Sequence, residues 1–229
     1  MIPSAQRIAL GCLLAACIIG AATRATACDA PPPLQGVEMA FTNKPPELTN
    51  DKPSAELAKY QVSTTFAKSH NEVFTLGGLH LSELAPQYIV SFELSETKRG
   101  QFCVAAVAVR VSIEYAPRVM IASEWQPGTC RYKTIFDHEM RHVNTDIIAF
   151  NEFLPKIRIA LEETARKLPQ IGPMPYSSVE KAKGILVDAV REKLAAEIDE
   201  FQKIRFARQQ MIDTRQQYLM ESRICAGEK

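Results

Sequence analysis

The hydrophobic and polar positions of this chain change their period once, near residue 127. Upstream, apolar residues alternate with period two. Val107, Val109, Val111 and Ile113 fall on one side and Ala106, Ala108, Arg110 and Ser112 on the other, the pattern of a half-buried antiparallel strand. Related β-type segments are expected over Tyr60 to Phe66, Glu72 to Leu76, Leu79 to Leu84, Gln87 to Leu94, Phe102 to Tyr115 and Arg118 to Ser123. Gly77-Gly78, Pro86, Lys98-Arg99-Gly100 and Ala116-Pro117 supply the turns between them. Downstream, Met140, Val143, Ile147, Phe150, Leu154, Ile157 and Leu161 recur at helical spacing and form one apolar stripe, suited to packing on a sheet. Thr129 or Thr134 can cap this helix, and Pro155 predicts a kink or break before its end near Leu168.

Pro169 to Pro175 reads as a turn. From Ser177 almost to Cys225, Leu186, Val190, Leu194, Ile198, Phe201, Met211, Ile212 and Leu219 again follow helical spacing. One long helix, or two with a short break, should fold back on the preceding helix as a hairpin, although the same spacing could serve a helical protein partner. At the other end, Pro31-Pro32-Pro33, Pro45-Pro46 and Pro53 exclude regular helix, so residues 28–58 read as an extended, Pro-rich lead-in. The predicted architecture is a single α+β domain over residues 59–229. A small antiparallel sheet packs on the motif-bearing helix, and a long C-terminal helical hairpin follows, its helical part covering about 177–225.

Composition adds a compartment. Residues 1–27 hold Arg7, the apolar run Ile8 to Ala22 and the small-x-small triplet Ala25-Thr26-Ala27, a secretory signal peptide. An alternative cleavage at Leu14-Ala15-Ala16-Cys17 would tether the chain through lipid, but the apolar run continues past Cys17, where a polar tether is expected. No later stretch is apolar and long enough to span a membrane. The chain is therefore expected to be exported, periplasmic or secreted. Loss of Arg7 and Arg24 takes the formal charge from +1 to −1. Near neutrality, without a run of like charges, the chain offers no sequence-independent attraction to nucleic acid or anionic lipid. Cys28, Cys103, Cys130 and Cys225 remain after cleavage, an even number in an oxidising compartment, with Cys103–Cys130 and Cys28–Cys225 as the expected pairs.

The chemistry lies in His138-Glu139-Met140-Arg141-His142. Residues four apart on a helix stand one turn above another, so two imidazoles can grip one zinc ion. Glu139 follows the first ligand directly and in this pattern acts as general base toward zinc-activated water. A catalytic zinc needs a third protein ligand. A third His turned back after a Gly is excluded, because Val143-Asn144-Thr145-Asp146 contains no Gly and no His follows. Glu162, separated from His142 by 19 intervening residues in the manner of thermolysin-like proteins, is the leading candidate, ahead of Asp146. Glu163, Glu152, Asp199, Asp213 and the strand residue His80 remain alternatives. Asp146 is also placed to accept a hydrogen bond from His142 and fix its tautomer, and Arg141 to pair with Asp137 or Asp146. His70 reads as a surface residue.

The signal peptide, the segment ending in Ala116-Pro117-Arg118, Glu124-Trp125 and the H-E-x-x-H helix together resemble a bacterial family of predicted secreted zinc-dependent proteases of uncharacterised function. The resemblance covers about Val104 to Phe153, with a fainter likeness in Gln210-Met211-Ile212-Asp213-Thr214. Arg141 stands where relatives often carry Gly. The resemblance implies a metallopeptidase with zinc as cofactor and a peptide or protein as substrate. In related folds an edge strand above the active helix binds peptide, which points to Arg118 to Ser123. The rival expectation is a cell-envelope binding or scaffold protein in which zinc is structural or vestigial.

Overall fold

The computed structural model describes residues 28–60 and 77–227. In chain order these form β1 (Val37–Asn43), β2 (Glu47–Thr49), the short helix α1 (Ser54–Leu57), β3 (Gly78–Glu96), β4 (Phe102–Ile121), α2 (Cys130–Lys167), β5 (Ile171–Met174), α3 (Val179–Ile212) and α4 (Arg215–Ile224). The signal peptide, His70 and the expected strands at Tyr60 to Phe66 and Glu72 to Leu76 lie outside the described residues, apart from Tyr60 in a 3₁₀ turn.

The alternating run around Val107 is the spine of the molecule. Its buried side continues through Val109, Val111, Ile113 and Tyr115, while Arg110 and Ser112 face solvent. Along one edge β3 pairs antiparallel with the whole of β4, from Gly78 opposite Ile121 to Glu96 opposite Phe102, and Gly100 turns the hairpin at φ 69°. Because β3 occupies that edge, β5, β1 and β2 succeed one another along the other. β1 and β2 run parallel to β4 and β5 antiparallel. The sheet is thus mixed, not antiparallel as expected. Alternation of side chains reports a half-buried strand but carries no information about the direction of its neighbours. The Pro-rich lead-in supplies the two parallel strands, with Pro45-Pro46 in the gap between them.

Two expected turns are absent. Pro86 lies within β3, opposite Ile113, and Pro117 within β4, opposite Ser82. β3 has no second partner among the described residues, and the gap between β1 and β2 falls beside Ala116-Pro117. Proline is tolerated where no ladder bond is waiting for its missing N–H. Arg118 to Ile121 consequently belongs to an interior strand flanked by β2 and β3, and among the described residues the outer edge of β3 is unpaired.

Helices α2 and α3 cover the apolar face of the sheet. Val109, Val111 and Ile113 meet Phe150, Phe153, Ile157 and Leu161 of α2 and Val190, Leu194 and Phe201 of α3. Phe41, Phe150 and Phe201 join sheet, α2 and α3 in one column, with ring centroids 4.4 Å apart at each step. Each such side chain contributes about 1.5–3 kcal/mol of burial. Thr129 caps α2 by accepting from Tyr132 N–H. The helix continues unbroken through Pro155, whose missing hydrogen bond is outweighed by the packing of Phe153 and Ile157 on either side.

The disulfides are Cys28–Cys103 and Cys130–Cys225, which corrects the expected pairing. At about 3.3 Å per strand residue, β4 carries Cys103 roughly 50 Å or more from the chain that leaves its far end toward Cys130. The lead-in instead runs alongside β4, with Gln35 N–H donating to the Val107 carbonyl, and delivers Cys28 to Cys103.

Candidate metal centre

α2 and α3 are antiparallel neighbours, so the end of α3 returns to the first third of α2, where the H-E-x-x-H residues stand. His138 and His142 are both buried, and their Nε2 atoms lie 3.1 Å apart. Asp213 ends α3 with φ −83° and ψ 58°, outside helical geometry. It places Oδ1 3.1 Å from His138 Nε2 and 3.2 Å from His142 Nε2. Among the described residues these three form a group whose ligand atoms all lie within 4.8 Å of one another and could hold a metal ion. Ligand atoms each about 2 Å from one tetrahedral ion are roughly 3.3 Å apart, so the donor set fits such an ion almost as it stands.

The far side of each imidazole is engaged. His138 Nδ1 is 3.0 Å from Glu221 Oε1, which also accepts from Gln217 at 2.7 Å and, in a very short contact, from Arg141. His142 Nδ1 meets Gln209 Oε1 in a similarly short contact. Tyr218 donates to Asp213 Oδ1 at 2.7 Å and stacks on His138 with centroids 5.4 Å apart. The helix that carries Glu221 and Tyr218, α4, is tied to the start of α2 by Cys130–Cys225.

Three groups with acceptor character facing one another at this spacing demand positive charge between them. Burial opposes charging of His138, but hydrogen bonds to Asp213 and Glu221 outweigh it and push the imidazole up to about 10. His142 is raised for the same reasons, burial again being overcome by Asp213 and Glu139. Against the opposing effect of burial, the imidazoles and Tyr218 hold Asp213 well below the usual carboxylate range. Glu139 is fully enclosed, and burial pushes it up to about 7 although both histidines pull it down. It fits because β3 begins with glycine there. A Cβ on Gly78 would lie 2.7 Å from Glu139 Oε1 and 2.5 Å from Ile135 Cγ2.

Behind His142 lies a second layer. Asp146 is buried, accepting from Tyr115 OH at 3.0 Å, from Arg205 Nε at 2.8 Å, from Ser82 at 3.4 Å and, very closely, from Gln209 Nε2. It therefore reaches His142 through Gln209 rather than directly. His80 neighbours Tyr115 OH at 3.2 Å and stacks parallel to His142 at 6.0 Å, and burial lowers it to about 4.

The expected third ligand is displaced. Glu162 lies farther along α2 with Arg158 and Arg166 as surface partners, Glu163 and Asp199 are exposed, and Glu152 pairs with Arg208. At 1.5 Å per residue, Glu162 stands about 30 Å along an unbroken helix from His142. Arg141 pairs with Glu221, leaving Asp137 to Lys133. Sequence reasoning missed Gln209, Tyr218, Glu221, Arg205 and Tyr115. A signal was present: Arg205, Gln209, Asp213, Gln217 and Glu221 recur every fourth residue, a polar stripe on the returning helices. Comparison with protein-family models, with curated proteins and with solved structures finds no match for this chain.

Proposed function

We propose that this chain is an exported zinc-dependent metallopeptidase, in line with its resemblance to bacterial secreted zinc-dependent proteases. The observation that carries the reading is the convergence of His138 Nε2, His142 Nε2 and Asp213 Oδ1 at 3.1–3.2 Å beside the buried Glu139. Two imidazoles and one carboxylate are the donor set of a catalytic zinc, whereas a structural zinc takes four protein ligands. Among the described residues the cluster has three. Zinc bound there supplies Lewis-acid polarisation of the scissile carbonyl and of water.

The chain's own groups supply the rest. Glu139, pushed up to about 7 by burial, is poised to take a proton from water near neutral pH and pass it to the leaving amine. Tyr218, beside Asp213 and His138, is placed to donate a hydrogen bond at the same centre. The edge of β3 left unpaired among the described residues starts at Gly78, against Glu139, and suits an extended peptide added as a strand.

Two disulfides agree with export into an oxidising compartment. Among the described residues no helix is long and apolar enough to cross a membrane. The test is Glu139→Gln assayed on casein, peptides and peptidoglycan. Hydrolysis of casein or peptide by the wild type, lost by at least about 100-fold in the variant with zinc retained, supports the reading. Equal turnover by both proteins contradicts it.

A further inference from the structure

An imidazole serves a metal through one nitrogen only when its proton sits on the other, and that choice is set by what the second nitrogen touches. His138 Nδ1 lies 3.0 Å from both the Glu221 carboxylate, which can only accept, and Arg141 Nη2, which can only donate. For His142 the partner is the amide of Gln209, which could present either its oxygen or its NH₂. Something outside the pair must decide which end faces the ring.

The same amide reaches Asp146 Oδ1 and, at 3.0 Å, the backbone carbonyl of His142. Both are acceptors, so the end that meets them must be the NH₂, and Oε1 is left for His142 Nδ1. Asp146 is itself held by Arg205 Nε at 2.8 Å and Tyr115 OH at 3.0 Å, one from α3 and one from β4. Arg205 also donates to Ser82 of β3. The orientation of the amide is thus referred to three elements of the fold.

We infer that Arg205, Asp146 and Gln209 form a positioning relay for His142, in which Asp146 fixes the Gln209 amide and the amide holds the proton on Nδ1, so that Nε2 faces the metal. The inference rests on the metal-site reading above. None of the three residues belongs to the group that could hold the metal, so each acts through His142. The long α3, more than a minimal peptidase needs, has here a specific task.

Asp146→Asn makes the relay ambiguous. An amide at residue 146 offers one acceptor oxygen: turned toward Arg205 Nε and Gln209 Nε2 it keeps the relay, and turned away it sets its own NH₂ against both donors. Gln209→Met keeps the length of the side chain and the Arg205–Asp146 pair but removes the acceptor. The experiment measures zinc affinity by chelator competition and follows the His142 Nδ1 proton by ¹H–¹⁵N imidazole spectra.

The expected result is a slowly exchanging Nδ1 proton in wild type. In Gln209→Met that protection is lost and zinc affinity falls about 10- to 100-fold. Since Asp146→Asn leaves the Gln209 NH₂ its bond to the His142 carbonyl, Gln209→Met is the deciding variant. Wild-type affinity together with a protected Nδ1 proton in Gln209→Met overturns the relay and leaves the metal site standing. If the wild type binds no zinc, the metal reading falls, and the same proton decides the relay in the metal-free protein: protected in wild type and lost in Gln209→Met supports it, unprotected in wild type overturns it.

Discussion

Asp213 Oδ1 lies 3.2 Å from His142 Nε2 across 71 residues of sequence. The contact exists because α3 stops there: one residue further along a continuing helix would turn the carboxylate about 100° away. Asp213→Ala should lower zinc affinity by more than the roughly 100-fold upper range of outer-shell losses, whereas Glu162→Ala should leave it unchanged. Chelator competition on the two purified variants measures this, and the reverse order would restore the thermolysin-like ligand.

Cys130–Cys225 closes a loop of 95 residues and Cys28–Cys103 one of 75, so chain entropy gives each bridge a similar worth, about 4–5 kcal/mol. Only the first holds α4, with Glu221 and Tyr218, against α2. Replacing Cys130 and Cys225 by Ser should weaken zinc binding as well as stability. Replacing Cys28 and Cys103 should reduce stability alone. Denaturant midpoints and zinc affinities of the two pairs separate the effects.

The titrating groups set a pH signature for metal-free protein. His138, raised from 6.5 to about 10, contributes stability that is complete below pH 6.5 and lost as pH rises toward 10. Glu139, raised from 4.5 to about 7, loses its contribution as pH rises from 4.5 through 7. Asp213 and Glu221, both lowered, contribute above their ordinary values of 3.8 and 4.5 and lose it as pH falls. Stability of the chelator-treated protein should therefore peak between about pH 4.5 and 6.5 and decline to pH 10. Zinc displaces the proton, so the loaded protein should not show the alkaline decline. Thermal midpoints with and without zinc across this range check the signs, and a flat metal-free profile contradicts them.

Gly78→Ala places a methyl group 2.5 Å from Ile135 Cγ2 and 2.7 Å from Glu139 Oε1. Either α2 and β3 move apart or the carboxylate is displaced. The expected outcome is about 1–3 kcal/mol of destabilisation together with loss of hydrolysis, and zinc retained. Gly184→Ala, on an open face of α3, should have neither effect.

The legible parts of the sequence were those written in local periodicity. Val107 to Ile113 and Met140 to Leu161 disclose a strand and a helix because each buries one face, and Thr129 is a cap because only the first turn needs one. Pro86 and Pro117 misled, since their effect depends on whether a neighbouring strand is waiting for the N–H, which is a tertiary fact. The direction of β1 and β2 and the disulfide partners are likewise set by where long elements end. At the site, His138, Glu139 and His142 come from one helical turn and were visible together. Asp213 was visible only as one acid among several, because its selection depends on the antiparallel return of α3. The stripe Arg205, Gln209, Asp213, Gln217 and Glu221 was the readable trace of that return, a polar face too regular for solvent alone.

The central claim is that His138, His142 and Asp213 hold one zinc ion. Elemental analysis of the purified chain, combined with X-ray absorption at the zinc edge, tests it most directly. About one zinc per chain is expected, with a shell of two imidazole nitrogens and at least one oxygen, and no zinc after His138→Ala. A chain that takes up no zinc from a zinc-containing buffer, or holds it equally well in His138→Ala, contradicts the claim.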